Sequence, residues 1–220
     1  MKDLNQLLLK FDLKQNYKNE DYYVNKSNFF AFSFIENWPK WEKNILNIYG
    51  DKHCGKTHLS NIFKKQHKAF KIQANKFNHE NLKEFKVFEN LILDDFDETI
   101  DEKLMYTLFN IADQDNKFIL INSLIPINKL NFKLEDLVSR SKNCIFAEIE
   151  NPDDELMFAI LLKNFSDRQI SIEKKLIDFI IKHIDRSYGK IYEFIYKLDE
   201  ISLKKKKSID FKIIKEALKD

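Results

Sequence analysis

The sequence predicts an α/β fold, with a mostly parallel sheet flanked by helices, followed by a small all-α domain. Short apolar, strand-like segments alternate with helical patterns through residues 21–150, and this alternation is typical of parallel sheets. After Asn151-Pro152 the apolar residues recur only at helical spacing. We therefore predict an α/β domain over 21–150, a helical domain over 151–220, and a flexible segment over 1–20.

The predicted elements follow one another along the chain, beginning with a helical pattern over 22–41. The strand-like segments are 45–49, 69–73, 91–93, 118–121 and 144–149. Helical patterns cover 104–112 in the first domain and 172–183, 190–202 and 210–218 in the second. Another helix is expected to begin at Asp153-Asp154-Glu155, because carboxylates favour the first turn of a helix.

A phosphate-binding motif lies directly after the first predicted strand. The string GDKHCGKT, from Gly50 to Thr57, matches G-x-x-x-x-G-K-[ST] and precedes a helical pattern, so it has the strand–loop–helix order that this motif requires. We expect loop amides to bind phosphate oxygens, Lys56 to reach the β- and γ-phosphates, and the Thr57 hydroxyl to hold Mg²⁺. The motif predicts ATP or ADP as ligand, and the remaining predicted contacts are Asp51, Lys52, His53, Cys54, Gly55 and His58.

Polar residues end two further predicted strands. The apolar run Leu91-Ile92-Leu93 is followed by Asp94 and Asp95. We expect Asp94 to hold Mg²⁺ and Asp95 to orient or activate an attacking water. The strand over 118–121 ends in Asn122, which could touch the γ-phosphate, although an ordinary loop residue is the simpler interpretation of that position alone.

Composition limits the other possibilities. The formal net charge is only +2, which argues against a general polyanion binder. Cys54 and Cys144 are the two cysteines, too few for a disulfide framework or a zinc site, so a reducing cytoplasm fits best. The sequence contains no signal-peptide pattern and no apolar stretch long enough to span a membrane.

Only three of the 37 basic residues are arginines: Arg140, Arg168 and Arg186. Arginine recognises phosphate in a planar, bidentate way that lysine does not match, so each is a candidate for a special role. Arg140 comes just before the last predicted strand, where an arginine can reach a neighbouring subunit's nucleotide and stabilise charge in the transition state.

Together these motifs resemble those of the DnaA-related AAA+ proteins, and among them the Hda-type regulators. The matching segments are QLLLKF, Tyr23-Val24 with Asn28, Trp38-Pro39, GDKHCGKTHL, LILDDFD, DLVSR, NPDDEL, DRS and KLDEISL. The resemblance implies an AAA+ P-loop domain followed by a helical lid. Initiators of this family carry a further DNA-binding domain after the lid, whereas this sequence stops there, so we expect the shorter layout of the regulators.

The resemblance also implies residue roles. It places Tyr23, Val24 and Asn28 on the adenine side, Asn122 at the first sensor position, and Arg140 as a finger acting in trans on the initiator's ATP. The lid position where initiators carry a sensing arginine falls on Gly189, and Arg186, one turn earlier, is the candidate replacement at the nucleotide.

The segment QLLLKF resembles the peptide by which proteins bind the DNA polymerase sliding clamp. In that interpretation Gln6 anchors the peptide by hydrogen bonds, while Leu7, Leu9 and Phe11 fill an apolar groove. The alternative is that the same residues form the apolar start of a core element.

The resemblance therefore implies a regulator of replication initiation. It would bind the clamp, contact DNA mainly through it, and stimulate hydrolysis of ATP bound to the initiator DnaA. Two alternatives stay open: an autonomous ATPase or loader-like motor, and an adaptor that holds ADP only structurally. A finger acting in trans also implies contact between subunits, including a possible homo-oligomer.

Overall fold

The computed structural model describes residues 22–170, 172–207 and 209–218. The strands are β1 (Ile45–Tyr49), β2 (Ala69–Gln73), β3 (Asn90–Phe96), β4 (Phe118–Ser123) and β5 (Ile145–Glu148). The helices before β5 are α1 (Phe29–Glu36), α2 (Lys56–His67), α3 (His79–Val87), α4 (Glu102–Gln114) and α5 (Glu135–Lys142). The helices after β5 are α6 (Asp154–Asp167), α7 (Lys174–Ile181), α8 (Tyr188–Lys205) and α9 (Phe211–Ala217).

The five strands form one parallel sheet in the order β2-β3-β4-β1-β5. This arrangement confirms the predicted α/β fold with flanking helices and a helical region after it. Because all strands run the same way, the carboxyl ends of β1, β3 and β4 meet at one edge of the sheet, where ligands of parallel α/β proteins commonly bind.

Both faces of the sheet are buried, since neighbouring strand residues point to opposite sides. Leu91 and Leu93 pack on one face, among side chains from α3, α4 and α5. Ile92 packs on the other face, among side chains from α1 and α2. This double burial explains why the strands read as continuous apolar runs.

The last four helices have a core of their own. Its buried members come from all four helices and are Met157, Leu161, Phe165, Ile177, Ile180, Ile191, Phe194, Ile195, Leu198, Ile213, Ile214 and Ala217. The Arg168 guanidinium donates to both oxygens of Asp199, at 3.1 and 2.8 Å, and thereby ties the end of α6 to α8. We call this four-helix unit the lid.

The first helix is shorter than the pattern over 22–41 predicts. The Asn25 side chain accepts from the backbone of Ser27 at 3.0 Å, and the Asn28 side chain accepts from the backbone of Asn25 at 2.9 Å. These side-chain bonds compete with helical backbone bonds, so α1 begins only at Phe29.

The segment 1–20 lies outside the described residues. No helix in the described part of the chain is long and apolar enough to cross a membrane.

Candidate functional site

The loop between β1 and α2 depends on two glycines. Gly50 has a φ of 149°, and a Cβ there would lie 2.6 Å from the carbonyl oxygen of Ile149. Gly55 caps the start of α2 with a φ of 104°, and a Cβ there would meet the Tyr22 ring at 3.0 Å. Because glycine offers no capping side chain, the first amides of the 12-residue helix α2 are left to bind an anion.

The Lys56 side chain lies beneath this loop. It is only 8% exposed, and its Nζ donates to the carbonyl oxygens of Gly50 at 2.6 Å and Asp51 at 2.7 Å. The ammonium group is therefore held where the loop curves, and phosphate oxygens could take the place of these carbonyls as its acceptors.

Thr57 and Asp94 bring oxygen atoms together at the ends of α2 and β3. The Thr57 Oγ1 lies 3.3 Å from Oδ1 of Asp94, which is 5% exposed. A hydroxyl and a carboxylate are suitable ligands for Mg²⁺, which takes most of its remaining ligands from water and substrate phosphates. The described residues contain no cluster of three or more His, Cys, Asp or Glu side chains that would hold a metal without a nucleotide. The donor set thus fits a nucleotide-bound Mg²⁺.

Asp94 has two further partners. Asn122 donates to its Oδ1 at 2.8 Å, and the Lys71 ammonium lies 2.8 Å from its Oδ2. Burial opposes ionisation of Asp94, but the hydrogen bonds from Asn122 and Lys71 and the charge of Lys71 outweigh it and lower the pKa of this carboxyl. Sequence reasoning missed Lys71, because one lysine among many within a strand gives no signal.

Asp95 faces the opposite way from Asp94. An extra residue enters β3 between Leu93 and Phe96 relative to β4, and Asp95 has a φ of 53° at this bulge. Asp94 is buried, whereas Asp95 is exposed and lines the cleft.

Asn122 is fully buried behind the cleft. Because the Asp94 carboxylate can only accept, the Asn122 amide must turn its NH₂ group towards it, and the same group also donates to the Ser60 hydroxyl. The Oδ1 atom of Asn122 has no partner in the described structure. A buried acceptor of this kind is suited to receive a bond from a water beside a ligand.

The cleft itself lies between the phosphate loop and the lid, with a volume of about 870 Å³. Predicted residues that line it are Tyr23, Asn28, Lys52, His53, Cys54, Gly55, Lys56, Thr57, His58 and Asp95. Gly50 and Asp51 contribute the carbonyls that hold Lys56, while Asp94 and Asn122 lie behind the lining. Val24 lines a separate groove of about 1220 Å³ against α6 and α7.

On the adenine side of the prediction, Asn28 and Tyr23 have partners within the protein. The buried Asn28 amide donates to the Tyr23 carbonyl at 2.9 Å and so fixes this part of the chain. The Tyr23 hydroxyl donates to Glu155 of the lid at 2.6 Å. Tyr22, which sequence reasoning missed, packs edge-on against His58, with ring centroids 5.3 Å apart.

The lid contributes side chains that were not predicted. Lys163, Asn164 and Tyr192 line the cleft, and the Tyr192 ring stacks on His53 of the phosphate loop. Tyr192 comes one helical turn after Gly189, which itself does not line the cleft. The sequence signal that could have identified Tyr192 is its position, since it is an aromatic residue one helical turn from the expected sensor position.

Neither Arg186 nor Arg140 lies at this chain's own cleft. Arg186 is held by Asp154, with Nε and Nη2 at 2.8 and 3.1 Å from its two carboxylate oxygens. Arg140 on α5 pairs with Asp113 and lies over the Tyr106 ring, 5.7 Å from its centroid. Neither arginine is among the lining residues.

The predicted clamp-binding residues Gln6, Leu7, Leu9 and Phe11 lie outside the described residues.

Comparisons with known proteins agree with this geometry. The family model "Hda, lid domain" matches residues 153–218. The chain is 26% identical to the chromosomal replication initiator protein DnaA of Caldanaerobacter subterraneus, over 94% of this chain and 53% of the relative. It is 28% identical to DnaA of Borrelia turicatae, over 94% of this chain and 49% of the relative. The chain thus spans about half the length of these curated relatives.

Solved structures show the same fold. Domain III of the Thermotoga maritima replication initiation protein DnaA superposes with a TM-score of 0.76 at 25% identity, covering 94% of this chain and 98% of that one. AMPPCP-bound DnaA from Aquifex aeolicus superposes with a TM-score of 0.69 at 21% identity, covering 94% and 81%. Thermotoga maritima RuvB is more distant, with a TM-score of 0.66 at 15% identity, covering 89% and 68%.

Proposed function

Because the chain is a DnaA-related AAA+ protein, we propose that it is a nucleotide-binding regulator of DNA replication initiation. The observation that carries the proposal is the phosphate loop, in which an open helix end, the buried Lys56 ammonium and the Thr57–Asp94 oxygens converge. The match of residues 153–218 to the Hda lid supports a regulator within this group of proteins.

Different residues of this chain would bind different parts of ATP or ADP. The amides of the loop and of the start of α2 would hold phosphate oxygens, with Lys56 exchanging its loop carbonyls for them. Thr57 and Asp94 would hold Mg²⁺, which neutralises phosphate charge when bound. The lid borders the cleft on the other side through Lys163, Asn164 and Tyr192.

We propose further that Arg140 acts on a partner's nucleotide. It lies away from its own cleft and is partly exposed, so a docked initiator could receive it. Its bond to Asp113 must break first, and exposed ion pairs of this kind are weak, at about 0–1 kcal/mol. Gln6, Leu7, Leu9 and Phe11 would hold the chain on the sliding clamp, which brings it to DNA.

A reconstituted assay tests this role. Hydrolysis of initiator-bound ATP is measured with clamp, DNA and this chain present. We expect Arg140→Ala to lose the stimulation, by about 10³-fold or more if it is a true finger. Lys142→Ala removes an exposed cation from the same helix and serves as the control. Stimulation that survives in Arg140→Ala would rule out the finger, while a clamp pull-down with Gln6→Ala/Phe11→Ala tests the peptide separately.

The exposed carboxylate of Asp95 favours a second candidate, an autonomous ATPase, because it faces the cleft where a water would attack. Turnover by the purified chain alone, lost in Asp95→Asn and independent of clamp and initiator, would favour this motor over the regulator. ADP that copurifies and does not exchange would instead favour an adaptor with a structural nucleotide.

A further inference from the structure

The Lys71 ammonium contacts Asp94, the carboxylate that would hold the metal. We propose that Lys71 is a built-in cation of this site, and that the chain therefore binds nucleoside diphosphates with little dependence on Mg²⁺. The inference rests on the proposed nucleotide binding and adds to it a residue that sets the metal requirement.

The pair is well enclosed. Lys71 lies in the middle of β2, where it pairs with Ile92 of β3 in the sheet. Its Nζ lies 2.8 Å from Oδ2 of Asp94 and 2.9 Å from the side-chain oxygen of Asn61. The Lys71 side chain is 15% exposed and that of Asp94 is 7% exposed. Solvent therefore screens this pair less than the surface ion pairs of the chain.

Both oxygens of Asp94 already have donors. Oδ1 receives Asn122 at 2.8 Å and Thr57 at 3.3 Å, and Oδ2 receives Lys71. The phosphate-loop lysine, Lys56, is not one of these partners, because its ammonium is bound to loop carbonyls. Among the ion pairs of the described residues, the one formed by Lys71 neutralises the acid that would attract Mg²⁺.

Two electrostatic consequences follow. A divalent ion near Asp94 must share the carboxylate with a fixed ammonium, and the two cations repel each other strongly at short range in a poorly screened site. Moving the Lys71 ammonium away from Asp94 is unfavourable, because a buried charge that loses its partner is costly. Metal should therefore add little to the affinity for ADP.

A purely structural ion pair makes a different prediction. It would change the stability of the fold when broken, but the ratio of nucleotide affinities with and without Mg²⁺ would stay the same. That ratio is the quantity to measure, because a general loss of packing cancels from it.

The experiment is calorimetric titration of the full chain with ADP, in Mg²⁺ and in EDTA. For the wild type we expect affinities that differ by less than about tenfold. For Lys71→Met, which keeps the length of the side chain without its charge, we expect this ratio to be larger by about tenfold or more, because Asp94 becomes free to attract the metal. Lys64→Met removes an exposed lysine of α2 and should behave as the wild type.

A wild-type ratio of about tenfold or more overturns the inference, and so does an unchanged ratio in Lys71→Met. If circular dichroism shows that Lys71→Met does not fold, the wild-type ratio alone decides. A wild type that takes up no ADP in either buffer refutes the proposed function itself. Binding with a strong Mg²⁺ requirement refutes only the role of Lys71.

Discussion

His53 of the phosphate loop stacks on Tyr192 of the lid, with ring centroids 4.3 Å apart and ring planes within 5°. The contact joins the two sides of the cleft across its opening. Burial against the lid and the charges of Lys52 and Lys56 lower the pKa of His53, so the neutral ring is the one that stacks at neutral pH.

We expect Tyr192→Ala to release bound ADP faster. A stacked aromatic pair contributes about 0.5–1.5 kcal/mol, so the dissociation rate should rise by up to about tenfold. Stopped-flow release of a fluorescent ADP measures it. Tyr196→Ala is the matched control, because Tyr196 lies one turn further along α8 and is 62% exposed. Equal rates in the two variants would contradict a closing role for the stack.

Stability should fall as the pH is lowered from about 7 to about 5, with His67 and His53 as causes, because the pKa of each is lowered in the folded chain. Burial lowers the pKa of His67, which packs on Trp38 and Phe63, so the unfolded chain takes up a proton more readily than the folded one. The loss begins near the pKa of an ordinary histidine and grows as the pH falls further. The lowered pKa of Asp94 acts only at more acidic pH, below the ordinary pKa of an aspartate.

Urea unfolding at both pH values checks this. His67→Phe should reduce the pH dependence, since it keeps an aromatic ring in the cluster and removes the titrating group. His79→Phe, at an exposed position at the start of α3, should keep the full dependence. A wild-type free energy of unfolding that is equal at both pH values would contradict the argument.

Asp94→Asn and Asp95→Asn should differ in their effects on stability. The first leaves the Lys71 ammonium without its carboxylate and should cost about 3 kcal/mol, the lower range for an unpaired buried charge. The second alters an exposed side chain, and asparagine tolerates its left-handed backbone, so stability should stay within about 0.5 kcal/mol. Chemical denaturation of both variants measures the difference, and similar losses would show that the buried pair is not what stabilises this strand end.

Gly50→Ala and Gly189→Ala should act in opposite directions. A Cβ at Gly50 would approach the Ile149 carbonyl oxygen to 2.6 Å in a left-handed conformation, so we expect destabilisation by more than about 1 kcal/mol and loss of ADP binding. Gly189 lies in α8, where a Cβ would meet nothing nearer than 3.6 Å, and alanine there should stabilise by about 0.5–1 kcal/mol. Thermal unfolding with and without ADP distinguishes them. An unaffected Gly50→Ala would contradict the assigned loop geometry.

Local pattern was sufficient for much of the fold. β1 and β2 have the bounds predicted for them: β1 is a mostly apolar run that ends before Gly50, and β2 begins after Lys68 and ends at the polar Gln73. The phosphate loop was found because its chemistry needs consecutive residues. The start of α1 was misplaced, since the bonds that delay it come from the asparagine side chains of Asn25 and Asn28.

Residues that act through tertiary contact were not found from the sequence. Lys71 reaches Asp94 only because β2 lies beside β3 in parallel register, a pairing that connects residues far apart in the chain. Tyr192 reaches His53 only because α8 lies over the loop. The sequence prediction placed the sensor position at Gly189 and its replacement at Arg186, but neither residue lines the cleft.

Asp94 and Asp95 are adjacent in β3 but lie in different environments, because neighbouring residues of a strand point to opposite sides. Asp94 is constrained by its bonds to Asn122 and Lys71. Asp95, at the bulge, is exposed and can be exchanged with little structural cost. If Asp95 activates the attacking water as proposed, changing this one exposed residue would alter hydrolysis without altering how the sheet folds.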